Sequence, residues 1–375
     1  MPDFKILILG GYGQTGLALT RLLIQETTVS IVLAGRDITK AKLAAEALNN
    51  QLSTERVGAC YADASEASTL TSAFKGVGLI LVTSSTATYT RTIAEAALNA
   101  GCDYMDIHFG LSVYTQLQQL ESKIREAGRC FISGGGFHPG MPAIMIRYGA
   151  MLFDEIHSAR TAGLMKIDFS TYNASTSTRI EFVEELAGFN PLYYTKGKWK
   201  KMNMLTGNGM RTFDFGNSYG NCRCSPLFFE ELRPLPQQYS SLRETGFYIA
   251  GFNLVTDYFI FPFIMLCLKI VPRRFNSLLA KLMVWSIKTF TRPPYGYVMK
   301  LEAEGLKNGR EKNIQVWVRS MDPAFITAVP VVACLKQYLK QNTRAAGLQV
   351  QGQFAEPVLF IEDCRRMGLE VKLSE

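Results

Sequence analysis

The run KILILGGYGQTGLALTRLL, Lys5 to Leu23, constrains the fold of this chain more than any other stretch. Lys5–Leu9 is a short apolar segment suited to a strand buried on both faces. Gly11-Tyr12-Gly13-Gln14-Thr15-Gly16 then matches G-x-G-x-x-G, and Leu17, Leu19, Leu22 and Leu23 follow with helical spacing. Such a motif is weak alone, and becomes specific when a strand precedes it and a helix follows. In that setting Gly11 permits the tight turn, Gly13 lets a pyrophosphate approach the backbone, and Gly16 lets the helix pack on the strand. Backbone N–H groups across Gly11–Gly16 and the positive end of the helix dipole would face the phosphates. The bland alternative is an ordinary strand–helix turn.

The second strand selects the cofactor. Val29–Ala34 is apolar and ends in Gly35-Arg36-Asp37. NAD sites usually place an acid at this point to bond the ribose hydroxyls. Here Gly35 leaves space, and Arg36 offers a bidentate cation to a 2′-phosphate. This favours NADP over NAD, with Asp37, one position later, as the feature that keeps NAD open.

Strand and helix keep alternating. Arg56–Ala62 reads as a third strand ending at Asp63, which suits an adenine-edge contact or a cap for the helix Ser65–Phe74. Leu79–Val82 is a fourth strand running into Thr83-Ser84-Ser85, small hydroxyl residues that suit a cofactor crevice. Asp103–His108 reads as a fifth strand, Val113–Ala127 as a helix and Cys130–Ser133 as a sixth strand. Successive βα units imply a parallel, doubly wound α/β sheet of Rossmann type. After the sixth strand comes GGGFHPGMP, in which His138-Pro139 reads as a helix start. His138 would then stand at the carboxyl ends of the strands, as a proton donor, an orienting group or a plain capping residue. Asp106, at the end of the fifth strand, suits a substrate amine or a structural cap.

These segments resemble the saccharopine dehydrogenase-like oxidoreductases. The resemblance rests on GGYGQTG, on LAGRD after the second strand, on ALNAGCDYMDIHFG with Tyr104 and Asp106, on GGGFHPGMP, and on DPAFITAVPVVACLKQYL near the end. It covers the first ~150 residues well and the last ~50 moderately. It implies nicotinamide-dependent hydride transfer and a late helix returning to the nucleotide domain. It does not name a substrate.

The chain has 375 residues, enough for two domains. The expected organisation is a nucleotide-binding domain over 1–150, an α+β substrate or dimerisation domain containing an antiparallel sheet over 151–322, and C-terminal helices over 323–375 that return to the nucleotide domain. In the middle, Ile156–Phe169 reads as a strand and Thr178–Leu186 as a helix. Residues Tyr297 to Ser320 read as a hairpin about Asn308-Gly309. Pro330 predicts a kink in the helix that starts near Pro323, and Pro357–Met367 reads as a last helix.

Eight cysteines without C-x-x-C spacing read as reduced thiols, and three histidines without ligand spacing argue against zinc. With no basic leader before Phe4, the expected location is cytoplasmic. The net charge of +8 is uneven: Lys269, Arg273, Arg274, Lys281, Lys288, Arg292 and Lys300 fall between Tyr258 and Leu301, where no Asp or Glu occurs. Residues 247–290 admit three readings: a buried helix pair or subunit interface, peripheral membrane contact, or the lining of a channel for an apolar substrate. No nucleic-acid motif accompanies the basic residues.

The expected function is hydride transfer between a nicotinamide and a C=N, C=O or C=C bond of a small molecule bound between the first two domains. The expected assembly is a homodimer. The rival is a non-catalytic NADP-binding protein that meets a membrane surface or a protein partner through 247–290.

Overall fold

The computed structural model describes residues 4–169, 175–203, 206–270, 275–341 and 345–375. Contacts divide the chain into two compact units. The first is Met1–Met141 with Ala324–Gly368, and the second is Pro142–Pro323 with Leu369–Glu375.

The first unit begins with β1 (Lys5–Leu9), α1 (Gln14–Glu26), β2 (Ser30–Gly35), α2 (Ile38–Leu52), β3 (Val57–Tyr61) and α3 (Ala67–Ala73). It continues with β4 (Leu79–Val82), α4 (Thr90–Ala100), β5 (Asp103–Asp106), α5 (Leu111–Gln118), α6 (Glu121–Glu126) and β6 (Cys130–Ser133). β1 lies between β2 and β4, in parallel register with Ile6 opposite Ile31 on one side and Leu79 on the other. Ile6, Leu7, Ile8 and Leu9 are all buried, as an all-apolar strand flanked on both sides requires. Each such side chain contributes about 1.5–3 kcal/mol by leaving water. Arg56 closes the far end of α1, its guanidinium donating to the carbonyls of Ile24, Thr27 and Val29.

Two elements differ from their sequence reading. The helix expected over Val113–Ala127 is the pair α5 and α6. The helix expected at Pro139 begins at Met141, because Gly140 holds φ at +115°, which no helix accommodates.

The second unit contains α7 (Met141–Ala150), β7 (Glu155–Lys166), α8 (Thr176–Ala187), β8 (Leu192–Thr195), β9 (Lys198–Lys201), β10 (Arg211–Asp214) and β11 (Asn221–Pro226). Then come α9 (Leu235–Gln238), β12 (Glu244–Ala250), α10 (Phe261–Ile270), α11 (Asn276–Phe290), β13 (Gly296–Lys307) and β14 (Arg310–Ser320). The expected hairpin is β13–β14, with Asn308 and Gly309 both at positive φ. The sheet expected to be antiparallel is mixed: β7 pairs antiparallel with β13 but in parallel with β12.

The chain returns to the first unit through α12 (Pro323–Lys340), which runs unbroken past Pro330, and then β15 (Gly347–Val350), α13 (Gln351–Phe354) and α14 (Pro357–Arg366). β15 pairs in parallel with β6, so the first sheet has seven strands in the order β15-β6-β5-β4-β1-β2-β3. A last strand, β16 (Glu370–Ser374), pairs antiparallel with β14 and completes a nine-stranded sheet in the second unit.

Candidate active site

In a parallel sheet every strand ends on the same edge. The order of the first sheet reverses between β1 and β4, which is where open α/β folds take ligands. Gly10 is the residue of the first turn with φ at +91°, whereas Gly11 lies outside the positive-φ region. The sharp bend therefore belongs to Gly10, one position before the motif. A Cβ on Gly10 would stand 2.7 Å from the Ser84 nitrogen, and one on Gly16 would stand 2.6 Å from the Gly10 carbonyl. These approaches weld the turn to β4 and α1 to the turn. The Thr83 and Ser84 N–H groups both donate to the Leu9 carbonyl, at 2.9 and 3.1 Å, and so fix the end of β4 beside β1.

Gly13 differs. A Cβ there would meet nothing closer than the Gly10 carbonyl at 3.2 Å, and both Gly13 and Gln14 are exposed. Gly13 is the N-cap of α1 with no side-chain cap, and no acid stands in the first turn. The first N–H groups of α1, over Gln14, Thr15 and Gly16, thus have no capping side chain from Gly13 and no acid in their own turn. This donor set fits a pyrophosphate.

Tyr12, Gly35, Arg36, Asp37 and Asp63 stand about the ends of β2 and β3, where the cofactor's ribose and adenine are expected. A Cβ on Gly35 would stand 2.6 Å from the Tyr12 ring, so Gly35 makes room for Tyr12. The Tyr12 hydroxyl accepts the Asp37 N–H at 3.2 Å. The Asp37 carboxylate is committed to α2: it accepts the Lys40 N–H at 3.0 Å and pairs with the Lys40 Nζ at 3.3 Å, which together lower its pKa. Arg36 is exposed at the end of β2. The Asp63 carboxylate accepts the Ser65 N–H and hydroxyl at 2.9 and 2.8 Å, and those bonds lower its pKa, with Arg36 adding a smaller Coulombic part.

Asp106 is fully buried. One oxygen accepts the N–H groups of His108 and Gly134 at 3.0 and 3.1 Å, and the other accepts the Ser133 hydroxyl at 2.9 Å. The Gly135 N–H reaches the Asp106 carbonyl at 2.8 Å. This geometry staples the turn after β6 to the end of β5 and leaves no carboxylate surface for a substrate amine. A second clamp, which sequence reasoning missed, comes from Gln351. Its buried amide both accepts from the Gly136 N–H and donates to the Gly136 carbonyl, at 3.2 Å each. The turn so held carries His138, whose ring meets Phe109 and Phe137 edge-on with centroids 5.8 and 5.3 Å apart. The residue as a whole is half-buried. Even so, loss of water around it pushes its pKa down to about 4. At neutral pH the imidazole is uncharged.

Among the described residues, no three His, Cys, Asp or Glu side chains come together as metal ligands. No described helix is long and apolar enough to cross a membrane.

A family model described as the saccharopine dehydrogenase NADP binding domain matches residues 6–132. A carboxynorspermidine synthase of Vibrio alginolyticus is 22% identical, over 97% of this chain and 96% of that one. A second, of Vibrio cholerae, is 25% identical over 66% of this chain and 64% of its own. Among solved structures, saccharopine dehydrogenase (L-Glu forming) from Saccharomyces cerevisiae shares the fold over 100% of both chains, with a TM-score of 0.67 at 11% identity. Residues 6–132 thus match a saccharopine dehydrogenase NADP-binding domain, and the chain as a whole shares the fold of saccharopine dehydrogenase.

Proposed function

We propose that this oxidoreductase uses NADP in preference to NAD and moves a hydride to or from the carbon of a C=N, C=O or C=C bond in a small molecule. The observation that carries the reading is the placement of two prepared turns on one edge of one parallel sheet: the uncapped Gly10–Gly16 turn after β1 and the doubly clamped Gly134–His138 turn after β6. When bound, the nicotinamide supplies or receives the hydride at C4. The protein's own part is to bind, orient and hold protons. Gly13 and the first N–H groups of α1 receive the pyrophosphate. Arg36 receives the 2′-phosphate in a bidentate pair, and this is where NADP is preferred. Asp37, the acid that would favour NAD, is already spent on capping α2. Asp106 and Gln351 act as positioning residues that fix the turn bearing His138. A neutral His138 donates a hydrogen bond to a substrate heteroatom through its ring N–H; at neutral pH it does not act as an imidazolium acid. Carboxynorspermidine synthases stand among the relatives, which supports trying an amine-bearing substrate first.

The test follows oxidation of NADPH by its absorbance with three substrate classes: carbonyl compounds mixed with amines, carbonyl compounds alone, and conjugated alkenes. Turnover that requires the amine supports a C=N substrate. In the same assay Arg36→Ala should weaken NADPH binding about ten-fold or more and leave NADH nearly unchanged, because a charged bidentate pair is worth about 1.5–3 kcal/mol. NADPH binding without oxidation in any class would make the chain a non-catalytic nucleotide-binding protein. Equal losses for both nucleotides would remove Arg36 from the 2′-phosphate.

A further inference from the structure

In the second unit a π-helical turn, Thr256–Ile260, runs directly into α10, and α11 packs beside them. Together with α8 these helices share an apolar core of Val183, Ile264, Leu279, Ala280, Met283 and Ile287. An ordinary surface helix buries its apolar stripe and shows polar residues outside. Here the outside is apolar too. Leu254, Tyr258, Phe259, Phe263, Leu266 and Ile270 are all exposed, Phe259 to 70% and Ile270 to 72%. They recur at helical intervals and so trace one stripe along the rod. Exposed apolar surface this continuous marks a contact.

The exposed charges of α10 and α11 are all basic. At the N-cap of α11 and along it, the exposed residues Phe275, Leu278 and Trp285 stand on the same helix as the exposed Lys281 and Lys288. Lys269 near the end of α10 and Arg292 just beyond α11 are exposed as well. The sequence from Tyr258 to Leu301 contains no Asp or Glu. Arg273 and Arg274, which the sequence places between the two helices, lie outside the described residues. Trp285 packs edge-on against Phe290 with ring centroids 5.7 Å apart, and indole rings favour the level of lipid headgroups. A second copy of this face would bring like charges together, whereas a negatively charged bilayer complements them. Lysine stems can lie along apolar surface while their ammonium groups stay at the headgroups.

We infer that the outer face of α10 and α11 docks in the plane of an anionic lipid bilayer. The aromatic and aliphatic stripe enters the acyl boundary, and Lys269, Lys281, Lys288 and Arg292 meet the headgroups. Neither helix crosses, in keeping with their length.

The full chain is mixed with vesicles of phosphatidylcholine, with or without phosphatidylserine, and sedimented. The protein should pellet with phosphatidylserine vesicles at low salt, pellet less with neutral ones, and be released as salt rises. Lys281→Gln with Lys288→Gln should weaken binding to phosphatidylserine vesicles about thirty-fold. Phe259→Asp with Phe263→Asp should abolish binding to both vesicle types. Both variants change only exposed residues, so their thermal unfolding and NADPH binding should match the wild type. A wild-type protein that stays in the supernatant with phosphatidylserine vesicles at low salt overturns the inference. So does a dimer in sedimentation velocity that Phe259→Asp with Phe263→Asp dissociates, because the stripe would then join two copies.

Discussion

Asp106 takes three hydrogen bonds at a point water does not reach, so its loss strands the donors of His108, Ser133 and Gly134. Asp106→Ala should lower stability by about 3 kcal/mol or more, since each abandoned buried donor costs about 1–3 kcal/mol. Urea denaturation reads this directly, and a midpoint within error of the wild type would mean that the turn after β6 does not depend on the staple. Not every such residue was legible in the chain. The spacing of Gly13 and Gly16 points to their places, because a ligand approach and a helix contact recur at fixed offsets from a strand end. The bend itself sits on Gly10 instead of Gly11, and two adjacent glycines carry no mark of which one takes the left-handed conformation. Gln351 was invisible, since it lies 215 residues from the Gly136 it clamps and nothing periodic surrounds it. His138 could be placed by its neighbours, but its protonation state depends on the desolvating contacts around the folded ring.

Among the elements, strands buried on both faces and the Asn308-Gly309 hairpin announce themselves through local composition. β15 does not: its four residues become a strand only by pairing with β6, a partner far along the chain. The helical layer of the second unit holds a charge with a measurable signature. Asp257, in the π-helical turn before α10, accepts the Phe252 N–H at 3.0 Å, yet burial dominates and raises its pKa from 3.8 to about 6. The folded chain therefore binds this proton more tightly than the unfolded chain does. Between about pH 4 and 6 the folded state holds more protons, so this group makes stability fall as pH rises through that window. Asp257→Asn keeps an acceptor for the Phe252 N–H and removes the titration. Its unfolding free energy should lose this fall, giving a flatter profile than the wild type from pH 4 to 6. Parallel profiles for the two proteins would show that Asp257 ionises as freely folded as unfolded.

At the scale of the whole molecule, the chain leaves the first unit after Met141, returns at Ala324 and leaves again after Gly368 to add β16 to the second sheet. The βα rhythm of the first sheet could be read from alternating apolar runs. The second sheet was legible only in part, because short strands such as β8 and β9 are basic and aromatic and gain their identity by pairing. The central claim is that a dinucleotide lies on the turn after β1. Gly13→Val tests it most directly, because the added side chain projects into open space and meets only the Gly10 carbonyl at 3.2 Å, so the fold should persist. Isothermal titration with NADPH, on protein whose thermal unfolding matches the wild type, should show affinity reduced about a hundred-fold or more, a loss of about 2.7 kcal/mol. A folded Gly13→Val protein that binds NADPH as tightly as the wild type would contradict the account.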